Sequence, residues 1–230
     1  MILFGSTFDD SYYRIEDTAK LKKRFVSIML PVIQKENAKI YSERTFIENT
    51  IKKSIFLINS SNISQLLQLK KKYKIARLYD LRAYLRKIDI IPPSLALAQA
   101  SLESGWGKSR FAKEANNLFG QWTYTGNGMV PENREEGKIH TIRIFRDLED
   151  SVENYMLNLN IGWAYTDFRQ KRYELRQKNE TLDGYLLSET LLEYSSAGQA
   201  YVDDLKTMID TNGFRRYDYL IKQQSQKGLI

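Results

Sequence analysis

Apolar residues recur along most of this chain at the three- and four-residue spacing of amphipathic helices. From Asp17 the series Leu21, Phe25, Ile28, Met29 and Ile33 marks a first helix, which Pro31 should kink or restart. Tyr41, Phe46, Ile47, Ile51 and Ile55 continue the pattern. Residues 1–15 are aromatic and polar without a clear period and read as an extended arm. Asn59-Ser60-Ser61-Asn62 is a turn, with Ser61 or Asn62 expected to cap a helix through Ile63, Leu66, Leu67 and Leu69. Residues 76–87 (Leu78, Leu81, Tyr84, Leu85) form another amphipathic stretch, closed at Pro92-Pro93, from which a helix should run to about Ser104.

The period changes after that helix. Phe119 to Tyr124 and His140 to Phe145 alternate, which predicts a small β-hairpin or sheet with a long connection over 125–139. Asp147 or Asp150 should open the next helix, and further helices are expected near 163–177, 181–193 and 200–211. The fold class is therefore α+β and mostly helical. Scarce Gly and Pro (12 and 4 of 230 residues) agree with that. The length suits one large domain or a core domain with an appendage; the division expected is a core domain at 91–230 with an N-terminal arm and helical extension over 1–90 packed on it.

Composition removes several chemistries. There is no Cys, which excludes disulfides, thiolate metal sites and a cysteine nucleophile, and His140 is the lone His, which excludes a two-histidine zinc site. Neither a metal-binding loop nor a phosphate-binding glycine loop is present, so no metal or cofactor is expected. No apolar run is long enough to cross a bilayer, and the first residues lack the basic segment of a signal peptide. A net charge of +7 points to an anionic partner. Much of the excess lies in the clusters Lys20/Lys22/Lys23/Arg24, Lys52/Lys53 and Lys70/Lys71/Lys72/Lys74. No nucleic-acid motif accompanies these clusters, so nucleic acid is not the expected partner.

One phrase stands out: Ala-Gln-Ala-Ser-Leu-Glu-Ser-Gly-Trp-Gly-Lys-Ser over 98–109. It places Glu103 in the last turn of a helix whose Ala96 and Ala100 share its stripe, with Gln99 one turn before, and a Gly-Trp-Gly break directly after. Taken alone, a glutamate at a helix end is ordinarily a surface residue. Beside a cleft and an aromatic ring it can instead stay protonated and donate to a glycosidic oxygen.

The phrase resembles that of the N-acetylglucosaminidases of glycoside hydrolase family 73, and within them the Bax-like proteins. The resemblance rests on Ala98, Leu102, Glu103, Ser104, Trp106, Gly107 and Ser109, then on Asn116-Asn117-Leu118-Phe119-Gly120. It continues through Gly128, Val130, Pro131, Arg134, Gly137 and His140, and through Tyr194-Ser195-Ser196-Ala197-Gly198-Gln199-Ala200-Tyr201. It covers about Pro92 to Phe214, with a less specific likeness around 25–43. It implies a lysozyme-like helical lobe, a small β-hairpin lobe and a groove between them, with an N-terminal helical extension.

By the same resemblance Glu103 is the general acid, its pKa raised by apolar neighbours such as Trp106. The second carboxylate lies in the β-lobe, where Glu132, Glu135 and Glu136 are available; Glu136, beside Gly137 and before the strand, is preferred and Glu135 is next. The substrate's own acetamido group could replace it. Tyr194 is expected to face the acid. Trp122 and Tyr124, on one strand face, and then Trp106 are candidates for stacking on sugar rings, although any of them could serve as core. Asn117, Phe119, Gln121, Glu135 and His140 complete the candidate binding residues. The implied activity is hydrolysis of the β-1,4 bond after N-acetylglucosamine in peptidoglycan, in the periplasm or cell envelope, by a monomer whose partner is the glycan strand. A protein that kept this fold but only binds glycan, with weak activity or none, is the alternative.

Overall fold

A computed structural model describes residues 7–52, 59–124, 128–130 and 141–219. The chain is mostly helical with a small three-stranded antiparallel sheet. In order it forms α1 (Asp10–Tyr13), α2 (Thr18–Ile51), α3 (Ser60–Lys72), α4 (Leu81–Lys87), α5 (Pro93–Ser104) and α6 (Arg110–Ala115). Strands β1 (Trp122–Thr123), β2 (Gly128–Met129) and β3 (Thr141–Arg143) come next. The remainder is α7 (Leu148–Ile161), α8 (Thr166–Gln177), α9 (Gly184–Ser188) and α10 (Gln199–Thr211), with short 3-10 turns at Trp163–Tyr165 and Leu192–Tyr194.

The chain divides into two compact units, Met1–Glu36 with Ala96–Tyr155, and Asn37–Leu95 with Met156–Ile230. Of the segment expected to be an extended arm, residues 1–6 lie outside the described residues, and the part described, in the first unit, contains a docked helical turn, Asp10–Tyr13. Asp9 caps it by accepting from the Tyr12 N–H at 2.8 Å. Phe8 stacks on Tyr12 and on Phe25, with ring centroids 4.3 and 5.8 Å apart, and this cluster buries what the sequence leaves without a period. The Lys108 ammonium donates to the carbonyls of Tyr12, Tyr13 and Ile15 and so satisfies the open end of the turn. Leu118, Phe145, Leu148 and Val152 are among the other core residues of this unit.

The sheet has strand order β1-β3-β2. Trp122 pairs with Ile142 and Thr123 with Thr141, while Gly128 and Met129 pair with Arg143 and Ile142 on the other side of β3. The expected hairpin thus gains a third strand from within its connection. Gly128 makes that pairing possible, since a β-carbon there would lie 2.0 Å from Thr141 Oγ1 and 3.0 Å from the Ile142 carbonyl.

In the second unit Ile47, Leu66, Tyr84, Leu159, Phe168, Leu205 and Ile209 are among the fully buried residues. Four local expectations change. α2 continues through Pro31 rather than restarting there. α3 is capped by Asn59, whose side chain accepts from the Asn62 N–H, rather than by Ser61 or Asn62. The 76–87 helix starts only at Leu81, because the Asp80 carboxylate accepts from the Ala83 N–H and fixes the cap there. The 181–193 segment is split into α9 and a 3-10 turn. No helix among the described residues is long and apolar enough to cross a membrane.

Candidate active site

Glu103 sits in the last turn of α5 and is half-buried. The helix ends in an unusual turn, in which Gly105, Trp106 and Gly107 take φ of +55°, +58° and +73° in succession. Glycine enters this left-handed region freely, but for Trp106 it is unfavourable by ~1–2 kcal/mol. Hydrogen bonds hold the turn in place. The Ser104 hydroxyl donates to the Ala100 carbonyl at 2.5 Å and accepts from the Gly107 N–H at 2.7 Å. The Trp106 N–H donates to the Ser101 carbonyl, and the Ser109 N–H to that of Ser104, each at 2.9 Å. The Tyr12 hydroxyl donates to the Trp106 carbonyl at 2.5 Å. The Gly107 position cannot carry a side chain, since a β-carbon would fall 2.8 Å from the Phe8 ring.

The Trp106 ring packs edge-on against Phe25 at 5.5 Å, with the Lys22 ammonium 4.9 Å from its centre. It is therefore integrated into the packing of its unit. Ser109 caps α6, which ends at Asn116 in the left-handed conformation. The next residue, Asn117, is a clamp. Its Nδ2 donates to the carbonyls of Gln121 and Arg143 at 2.8 and 2.9 Å, and its Oδ1 accepts from the Gln121 N–H at 2.9 Å. The loop 117–121 is thereby tied to β3.

That loop carries Gly120 (φ +63°) to the carboxylate: a β-carbon on Gly120 would lie 3.5 Å from Glu103 Oε2. Phe119 is buried and stacks on Tyr155, with ring centroids 3.8 Å apart and planes 4° from parallel. The Tyr155 hydroxyl in turn donates to Oε1 of the buried Gln99 at 2.6 Å. A continuous chain of contacts thus runs from the helix stripe one turn before Glu103 to the loop beneath its carboxylate. Gln121 Oε1 is enclosed and makes no hydrogen bond among the described residues. Trp122 and Tyr124, next along the chain, are 52% and 73% exposed, a high value for aromatic side chains.

Glu103, Trp106, Asn117, Phe119, Gln121, Trp122 and Tyr124 all belong to the first unit, and within it the 117–121 loop reaches the Glu103 carboxylate at Gly120. Glu132, Glu135, Glu136 and His140 lie outside the described residues. Tyr194 belongs to the second unit, at the end of the 3-10 turn, where it is half-buried and stacks on Tyr201 at 5.4 Å with planes 4° apart. The Tyr165 ring is 5.9 Å from it and tilted by 39°. Sequence reasoning missed the Ser104 latch, the Tyr12 bond to the turn and the Phe119–Tyr155–Gln99 relay. A serine directly before a Gly-x-Gly helix end is a signal for the first; the other two join residues far apart in the chain and leave none.

The glucosaminidase family, described as mannosyl-glycoprotein endo-beta-N-acetylglucosaminidase, matches residues 79–214. The protein Bax of Escherichia coli K12 is 30% identical over 196 residues, covering 83% of this chain and 69% of Bax. The exo-glucosaminidase LytG of Bacillus subtilis 168 is 31% identical over 134 residues, 55% of this chain and 46% of LytG. No solved structure matches significantly. With α5, its Glu103 turn, the Asn117 loop and the sheet all inside the matched span, the chain belongs to the glucosaminidase family, and within it is Bax-like.

Proposed function

We propose that this protein is a peptidoglycan hydrolase of the endo-N-acetylglucosaminidase type, acting in the periplasm or cell envelope as a monomer, with Glu103 as its general acid. The observation that carries the reading is the seat of the Glu103 carboxylate. It ends a buried helix and rests beside Gly120, where the absence of a side chain leaves a surface that a sugar can approach. Membership of the glucosaminidase family supports the reaction class.

Cleavage needs a proton on the leaving oxygen and a water at the anomeric carbon. The Glu103 carboxyl gives its proton to the glycosidic oxygen as the C1–O bond breaks. A water then adds at C1 and passes a proton to the base that faces it, so the net reaction adds one water across the bond. Glu136 is our choice for that base, with Glu135 beside it; the substrate's acetamido group is the other route. Tyr194 is assigned to orient the acetamido group or the water. Trp122 and Tyr124 are assigned to stack on pyranose rings, their exposure leaving their faces accessible. Asn117 and Phe119 are assigned to hold the loop that carries Gly120.

The test is digestion of purified peptidoglycan and mass spectrometry of the products. Reducing-end N-acetylglucosamine in fragments of many lengths is expected from the native protein, and none from Glu103→Gln at an unchanged melting temperature. Single-sugar products would make the enzyme exo-acting, reducing-end N-acetylmuramic acid would overturn the bond assignment, and an active Glu103→Gln would overturn the acid.

A further inference from the structure

The second unit holds a charge arrangement that the proposed hydrolysis does not use. Asp89, fully buried, accepts from Arg176 Nε and Nη2 at 3.0 and 2.8 Å and lies 3.5 Å from Arg44 Nη1. Arg44 Nη1 also donates to the carbonyls of Leu85 and Ile88, each at 2.8 Å. Arg172, fully buried too, spends its Nη1 and Nη2 on the carbonyls of Asp89, Ile90, Arg86 and Lys87. Two guanidinium groups, Arg44 from α2 and Arg176 from α8, therefore engage one enclosed carboxylate, and a third, Arg172 of α8, donates to the backbone carbonyl of the same residue. Burial, opposed by Asp89 but reinforced by Arg44, Arg176 and Arg169, pushes the Arg172 guanidinium down to about 9. The region thus holds more positive charge than its own acids neutralise.

A cavity of about 340 Å³ opens onto this cluster between α2, α4 and α8. Its wall includes Arg44, Arg176 and Lys52 against the single carboxylate of Glu48, a net charge of +2, together with the hydroxyls of Tyr41 and Thr45. Glu48 is only weakly engaged, 3.5 Å from Arg44 Nε. Arg44 Nη2 and Arg176 Nη1 make no hydrogen bond among the described residues, and Lys52 has no ion-pair partner among them. Arg44 is itself 7% exposed, so its orientation is imposed by the Leu85, Ile88 and Asp89 contacts before any ligand arrives.

We propose that this cavity binds a phosphate-type oxyanion, free or as a phosphate ester. Two preset guanidinium groups, an ammonium and two hydroxyls supply donors on several sides, which suits a tetrahedral dianion better than a flat carboxylate. The net +2 of the wall matches a dianion's charge. The volume exceeds that of a bare ion and reaches the lower end of small-molecule sites, roughly 300 Å³ and above, which leaves room for the alcohol portion of an ester. The site shares no residue with the proposed acid, so it stands or falls independently of the hydrolase reading.

The test is thermal unfolding of Glu103→Gln protein in inorganic phosphate, glycerol phosphate, acetate or chloride at matched ionic strength. A saturable rise in melting temperature at millimolar phosphate, absent with acetate and chloride, is expected. The double variant Lys52→Glu/Gln177→Glu turns the wall negative at two exposed positions. It should melt in chloride no lower than the parent and weaken the phosphate response at least tenfold. An equal rise with chloride or acetate, or a phosphate response retained by the double variant, overturns the proposal. Saturation at lower glycerol phosphate than inorganic phosphate identifies an ester as the ligand, and the reverse order identifies free phosphate; either order supports an oxyanion site.

Discussion

Asn117→Ala should release the loop beneath Glu103 from the sheet. Asn117 is 2% exposed, and its amide makes three hydrogen bonds of 2.8 to 2.9 Å to Gln121 and Arg143. At about 1 kcal/mol net for each, with a further ~1 kcal/mol for a Gln121 N–H left without its acceptor, the loss is about 3–5 kcal/mol. For a chain of this size that lowers the melting temperature by about 10 °C. Asn117→Asp separates the bonds. It keeps an acceptor for the Gln121 N–H but turns a carboxylate oxygen toward two carbonyl oxygens, so at neutral pH it should destabilise at least as much as alanine. Those carbonyls favour the protonated acid, which raises its folded-state pKa above the unfolded value of about 4. Stability should then be regained as pH falls from about 7.5 to about 4.5, while the alanine deficit stays flat over the same range. Thermal melts of the three proteins across that range are the assay. An aspartate variant as stable as the parent at neutral pH would mean that Nδ2 does not face the two carbonyls, and the clamp assignment would fall.

Asp89→Ala strands Arg44 and Arg176 without their buried carboxylate, and urea unfolding should show a loss of about 3–5 kcal/mol. In the native protein burial pushes the Asp89 carboxyl up, but Arg176 and Arg44 outweigh it and hold it at about 2, below its ordinary 3.8. Because the folded-state pKa is depressed, this stabilisation, on the order of 2 kcal/mol, is present above the unfolded value and lost as pH falls through about 2; a stability profile flat across that window contradicts the pairing. Gly128→Ala places a methyl against Thr141 and the Ile142 carbonyl and should lower stability by about 1–3 kcal/mol. Adding Thr141→Ala should restore only part of it, since the carbonyl remains; full recovery would show that the backbone approach is not limiting. Trp122→Ala and Tyr124→Ala should leave melting within about 0.5 kcal/mol, because both rings are exposed. Each should weaken glycan-strand binding by about tenfold, or ~1.4 kcal/mol, in pull-down on insoluble peptidoglycan; unchanged binding in both would remove the stacking assignment.

Local rules account for much of the architecture. The apolar spacing in α2, α3 and α7 and the alternation around Trp122 and Ile142 specify element type without reference to the rest of the molecule, because each period reports which face is buried. Helix starts are less legible. Asn59 and Asp80 lie within a few residues of other competent caps, and which side chain accepts the free N–H depends on how the preceding segment enters.

The position of Glu103 at a helix end, before a Gly-Trp-Gly break, is written in consecutive residues and needs nothing else. Its surroundings are not. Asn117 reaches Arg143 across 26 positions, Tyr155 reaches Gln99 across 56, and Tyr12 reaches the Trp106 carbonyl across 94. Arg172 and Arg176 meet Asp89 from more than 80 residues away. Periodicity records only that a residue is buried. The partner of a buried polar group is chosen by whichever distant donor or acceptor packing brings within 3 Å. So the amino-acid order by itself determined the helical periodicity, the strand pair and the place of Glu103 at a helix end. Tertiary packing alone decided that the Asp10–Tyr13 turn docks through Phe8 and Tyr12, that Gly120 lies against the Glu103 carboxylate, and that three arginines gather around one aspartate.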